Sequence, residues 1–198
     1  LGAVWLAGVM LTTCRLVVPH VRNRGICNMS IPVHHPFVDR RLSEHRILRR
    51  IRVRISDRIA SPLTYGVMNP VILLPKNLDF QDTEALRFVL THEWIHIKRN
   101  DVLLKGLLAS ALCIHWFNPL VWLMAALAAR DIELSCDEAV LRHLPDKRSY
   151  AKLLIGLAET AGGLDRSFAH FSKKPLEERI EMMMNMRKSS TIGALLVL

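Results

Sequence analysis

Thr91-His92-Glu93-Trp94-Ile95-His96 lies inside the run Thr83 to Arg99 (TEALRFVLTHEWIHIKR), and the rest of the chain is read from it. The run has helical character. On a helix, residues four apart share a face, so His92 and His96 turn two imidazoles toward one point. Zinc takes such nitrogen donors. Glu93, next to the first of them, is placed to accept a proton from water rather than to bind the ion. The pattern predicts a zinc hydrolase, above all a peptidase, with Zn2+ as cofactor. The plain alternative is two histidines on an amphipathic helix with no metal, and a third ligand separates the two readings.

The chain has 198 residues, 51% of them hydrophobic, and a mean hydropathy of +0.20. That is enough for one domain with its own core. The net charge of +9 is unevenly placed: Arg15 to Arg58 holds eleven Lys and Arg against three acids, directly after the apolar stretch Leu1 to Val18. A basic segment beside an apolar one reads as the cytoplasmic flank of a membrane helix. No nucleic-acid motif occurs and aromatic content is 6%, which argues against direct nucleic-acid binding. Cys14, Cys27, Cys113 and Cys136 are scattered without a CxxC pair. They suggest reduced thiols, with Cys14 and Cys113 buried in apolar runs.

These features divide the chain into a partial transmembrane helix at 1–18, a zinc peptidase domain at 19–190 and the start of a further transmembrane helix at 191–198. Val21 to Pro36 reads as a loop and Val38 to Arg49 as a short amphipathic helix. Ile51 to Ser56 alternates as a half-buried strand. Leu63 to Tyr65 and Val71 to Leu74, punctuated by Gly66 and Asn69-Pro70, complete a small three-stranded sheet. Pro62 and Pro70 keep these strands at edges or strand starts. Asp79 or Asp82 caps the histidine helix. Val102 to Ala129 is apolar, and Asn118-Pro119 breaks it into a hairpin of two helices, about 102–116 and 120–132 and beyond. The sequence leaves open whether this hairpin, 102–132, enters the bilayer. Helices are also predicted over Tyr150 to Ala161 and Leu176 to Arg187, with an irregular stretch at 164–174 between them.

The return helix carries Arg130-Asp131-Ile132-Glu133-Leu134-Ser135-Cys136-Asp137. Glu133 and Asp137 stand four apart on one face. A solvated acidic face paired with Arg130 is the plain reading. The functional reading makes Glu133 the third zinc ligand and Asp137 an acceptor that orients a ligating imidazole through its ring N–H. Cys136 reads as packing, off the face of Glu133 and Asp137.

HEWIHIKRND, WFNPLVW and RDIELSCDEAV, with SPLTYGVMNPVILLPKNL upstream, resemble the antirepressor membrane zinc metallopeptidases of the BlaR/MecR type, the zinc domains of beta-lactam-sensing signal transducers. The resemblance is close over Val38 to Leu141. It implies an α+β, mainly α, gluzincin-like fold in which His92, His96 and Glu133 bind zinc, Glu93 is the catalytic base and Asp137 supports the site. It also implies a multi-pass membrane protein whose catalytic domain faces the cytoplasm. Its partners would be membrane lipid and a protein substrate, either the chain itself or a transcriptional repressor. Gly163 to Lys174 and Arg187-Lys188 would be the targets of self-cutting. A housekeeping membrane protease and a non-catalytic zinc-bearing signalling module are the rival functions. A sensor domain beyond Leu198 would favour the regulatory reading.

Overall fold

The alternating segment at 51–56 and the two strands after it do form a sheet, and the histidine helix packs on it. In a computed structural model, which describes residues 2–44, 49–162 and 169–186, α1 spans Gly2–Asn28, β1 Ile31–Pro32, α2 Pro36–Glu44, β2 Arg52–Ser56, β3 Leu63–Tyr65 and β4 Val71–Pro75. Then follow α3 Thr83–Arg99, α4 Asp101–Ile114, α5 Pro119–His143, α6 Lys147–Gly162 and α7 Ala169–Asn185.

The sheet has four strands in the order β1-β2-β4-β3, not three. The extra strand, β1, comes from the segment read as a loop. Two residues are too few to show alternation, and β1 is held by pairing Ile31 with Ile55 and Pro32 with Arg54. The Arg54 guanidinium also donates to Ser30 Oγ at 2.7 Å. β2 and β4 run parallel, while β3 lies antiparallel to β4 at the free edge. Pro70 stands just before β4 and Pro62 just before edge strand β3, as expected. β4 is buried along its whole length, which explains its unbroken apolar run VILLP.

α1 continues past Val18 to Asn28, beyond the expected boundary and into the predicted loop. α2 ends at Glu44 within the described residues. α7 begins at Ala169, so part of the stretch expected to be irregular is helical. The 163–168 part of the expected self-cutting segment, Arg187-Lys188 and the segment 191–198 lie outside the described residues. Among the described residues, no helix is long and apolar enough to cross a membrane. Cys14 is exposed and Cys113 half-buried, rather than buried as expected.

α3 sits between two cores. Val89, Leu90 and Ile97 pack with Val38, Val53, Ile72 and Leu74 from α2 and the sheet. Phe88 and Ile95 pack with Val140, Leu141, Tyr150, Leu154 and Met183 from α5, α6 and α7. Asp82 caps α3, accepting from Ala85 N at 2.9 Å, while Asp79 serves the preceding turn at Gln81 N. Asn118 accepts from Leu120 N at 3.0 Å and Pro119 opens α5. The predicted hairpin break is therefore an N-cap followed by a proline at the first helical position.

Gly66 makes the β3–β4 turn possible. Its φ is +84°, and a Cβ there would lie 2.7 Å from Asn69 O. Gly66→Ala is expected to cost about 1–3 kcal/mol, read as a lowered urea midpoint with an unchanged slope.

Candidate metal centre

One turn of α3 carries the pair. His92 Nε2 and His96 Nε2 are 3.0 Å apart. A hydrogen bond at that distance needs a hydrogen on one Nε2 and a lone pair on the other, so in the metal-free pair one ring donates to its neighbour. Glu133, delivered by α5, places Oε2 3.6 Å from His92 Nε2 and 3.7 Å from His96 Nε2. The three atoms form a nearly equilateral triangle. An ion with tetrahedral bonds of about 2.0–2.2 Å needs ligand atoms about 3.3–3.6 Å apart. The residues fit such an ion with little adjustment.

Both rings are held from behind. His96 Nδ1 is 2.7 Å from Asp101 Oδ2, and Asp101 is buried. This contact depends on Asn100, whose φ of 58° is left-handed. Asn tolerates that region. Asn100 N–H closes α3 on His96 O and Ile97 O, and α4 starts at the next residue. His92 Nδ1 is 2.8 Å from Tyr150 Oη, and Tyr150 donates to Asp137 Oδ1 at 2.7 Å. Asp137 itself stands 3.5 Å from His92 Nδ1. The structure thus sets Tyr150 of α6 between ring and carboxylate, where the sequence suggested a direct contact. Arg179 of α7 clamps Asp137 with Nε at 2.6 Å and Nη2 at 2.8 Å.

Glu133 is flanked by cations. Lys105 Nζ is 3.1 Å from Oε1 and Arg179 Nη1 is 3.9 Å from Oε2. Glu93 is buried and accepts from Thr64 Oγ1 of edge strand β3 at 2.6 Å. Cys136 is fully buried, with Sγ 3.6 Å from His92 Nδ1. Donor atoms of His92, His96 and Cys136 all lie within 4.8 Å of one another. Cys136 belongs to the core cluster with Phe88, Ile95 and Val140, in keeping with its reading as packing, and its sulfur also touches the Nδ1 side of the His92 ring. Of the two candidate third donors, Glu133 meets the Nε2 atoms of both rings, while the thiol meets the Nδ1 side of His92. The triangle through Glu133 is the better metal geometry.

Ionisation follows this crowding. Burial disfavours the charged form of His96, but contacts with Cys136 and Glu133 outweigh it and push its pKa up to about 10. His92 is likewise raised, against burial, by the Tyr150, Asp137, Cys136 and Glu133 groups around it. Burial would raise Glu133, but the two imidazoles hold it far below the usual carboxylate range. Asp137 is lowered, against its burial, by Arg179 and His92. The Cys136 thiol is lowered by both histidines despite burial.

The centre opens into a cleft of about 1240 Å3 lined by Val9 and Val17 of α1, Thr64 of β3, Ala109 of α4 and Leu157 of α6. The model of the BlaR1 peptidase M56 family matches residues 1–183. This chain belongs to the M56 peptidase family. It is 33% identical over 155 residues to Regulatory protein BlaR1 of Bacillus licheniformis, covering 75% of this chain and 26% of that protein. Against the methicillin resistance mecR1 protein of Staphylococcus aureus the identity is 27% over 97 residues, 48% of this chain and 17% of that one. Against Regulatory protein BlaR1 of Staphylococcus aureus it is 28% over 122 residues, 60% of this chain and 21% of that one. The chain thus spans a quarter or less of the length of most of these relatives, and 26% of the first. The M56 family is one of metallopeptidases, and the residue cluster fits the metal it implies.

Tyr150, Asp101 and Arg179 carry no motif that marks them as site residues in the sequence alone. Asn100-Asp101 gave the nearest signal, a left-handed residue type followed by an acid in the first turn of a helix.

Tyr150→Phe is expected to weaken metal affinity about 10–100-fold, measured by competition with a chromophoric chelator. Metal ions need both Nε2 lone pairs, and the raised pKa of His96, about 10, keeps a proton on the pair at neutral pH. Uptake at neutral pH therefore releases protons, and affinity rises with pH up to about 10, above which His96 is mostly deprotonated. Calorimetry in buffers of different ionisation enthalpy reads the protons released.

Proposed function

We propose that His92, His96 and Glu133 hold a zinc ion and that the centre hydrolyses peptide bonds with Glu93 as base. The triangle of two Nε2 atoms and one carboxylate oxygen, with edges of 3.0, 3.6 and 3.7 Å, carries the reading. When bound, such an ion supplies Lewis acidity.

The chain's own groups do the rest. Thr64 holds Glu93 Oε2, which leaves Oε1 to take a proton from the attacking water and return it to the leaving amine. Asp101 and Tyr150 fix the two rings so that their Nε2 lone pairs converge. Lys105 and Arg179 offset the negative charge that Glu133 and Asp137 bring into a half-buried space. β3 is the free edge of the sheet and lines the cleft, so an extended substrate backbone pairing there would pass beside Glu93.

The substrate we favour is a protein of a signalling circuit, either a transcriptional repressor or the chain itself. The regulatory and resistance names of the relatives support this. A membrane location, with the centre facing the cytoplasm, is supported by the basic segment after Arg15. The outer surfaces of α1, α4 and α5 add to it, since Leu11, Leu107, Leu120 and Leu123 are exposed there.

Glu93→Gln is expected to lower the rate of peptide hydrolysis about 10²–10⁴-fold with zinc content unchanged by elemental analysis. Processing of the chain and of any repressor at the wild-type rate in that variant would sink the catalytic reading.

A further inference from the structure

One wall of the cleft beside the metal centre carries no side chain at a position where a helix would favour one. Gly106 lies inside α4 and lines that cleft. Glycine weakens a helix interior, so its place here needs a reason. Its backbone is not left-handed; among the described glycines only Gly66 is. Nor does the protein take up the space over it, since a Cβ at Gly106 would meet nothing within 4 Å. Gly8 of α1 shows the contrast: there the Trp116 ring occupies the place a Cβ would need. Among the described glycines, Gly106 alone both lines the cleft and leaves its Cβ position open.

That opening is close to the proposed chemistry, and its surroundings are apolar. Gly106 stands five positions after Asp101, which holds the His96 ring, about 7.5 Å along the helix axis. Its neighbour Lys105 reaches Glu133 at 3.1 Å. A substrate backbone extended along β3 advances about 3.3 Å per residue, so a side chain one or two positions from the reacting bond is within reach of Gly106. Val102 and Ala109 share the face of α4 with Gly106, and Val9, Leu16 and Val17 of α1 line the same cleft.

We propose that Gly106 sets the depth of a subsite that receives a large apolar side chain of the substrate, such as Phe, Leu or Met, close to the bond that is cut. The inference rests on the reading of the centre as a peptidase. Burying that side chain takes apolar surface out of water and fixes the register of the peptide against Glu93. A charged side chain would lose its water there without a free partner, since Lys105 is already engaged by Glu133. Any residue larger than glycine at 106 fills the subsite from its wall.

The test compares wild type, Gly106→Ala and Gly106→Leu, loaded with zinc in detergent, on a synthetic peptide library whose cut bonds are read by mass spectrometry. Wild type is expected to prefer bonds beside Phe, Leu or Met over the same bonds beside Ala by about 10-fold or more. Gly106→Leu should lower the ratio of Phe to Ala about 10–200-fold, and Gly106→Ala should lower it part of the way. A second readout needs no turnover. In the Glu93→Gln background, fluorescence anisotropy follows a labelled Phe peptide that wild type cuts and its Ala twin, and Gly106→Leu should weaken the Phe peptide about 10-fold relative to the twin. Gly106→Ala should also raise the melting midpoint, as alanine does in a helix with open space over it; a lowered midpoint means that protein fills the space and overturns the proposal. A wild-type ratio kept by Gly106→Leu that circular dichroism shows to be folded, or a wild type that prefers small or charged residues, overturns the subsite and leaves the peptidase standing. Zinc-loaded wild type that cuts no member of the library overturns the peptidase reading, and the subsite with it.

Discussion

Two imidazole nitrogens 3.0 Å apart, with a carboxylate oxygen closing on both, are a costly arrangement to assemble from a flexible chain. Each group gives up water, and each must be held in one rotamer. The fold answers this by gripping each of these groups from its far side. Asp101 grips His96, Tyr150 grips His92 and Lys105 grips Glu133. Four helices, α3 to α6, supply all of these groups, and α7 adds Arg179 behind Asp137. The two hydrophobic cores on either side of α3 keep those helices in register.

The charges in the site are balanced rather than merely collected. Glu133 and Asp137 would repel each other in a half-buried space. Arg179 reaches both and binds Asp137 through two nitrogens, and Lys105 takes the remaining Glu133 oxygen. The paired acids are thereby kept ionised, which is the state in which one can ligate and the other can accept from Tyr150. Much of the remaining cleft lining is apolar, including Val9, Leu16, Val17, Ala109 and Leu157.

What could be read from the sequence was whatever rests on local spacing. Helix period placed His92 and His96 together and placed Glu133 with Asp137. Asn118-Pro119 gave the break that folds α5 back toward α3. Glu133 was reachable because the apolar run before it had to return. Groups that meet only through tertiary packing left no such trace. Tyr150 and Arg179 sit in ordinary amphipathic helices, and their side chains matter because α6 and α7 happen to cross the site. Thr64 looks like any strand threonine until β3 is known to be the edge beside Glu93. The strand β1 was too short for a period, and no spacing rule brings the Cys136 sulfur to the His92 ring.

Asn100 has a mechanical meaning. It is a one-residue joint between α3 and α4, with no slack on either side. The carboxylate that holds the His96 ring is the first residue past the joint, so the long axis of α4 acts as a handle on that ring. α4 has 14 residues, about 21 Å of rigid rod, and much of its outer side is apolar and open to neighbours. Whatever takes hold of that rod, be it lipid or another helix, also holds the angle at which the imidazole presents its nitrogen.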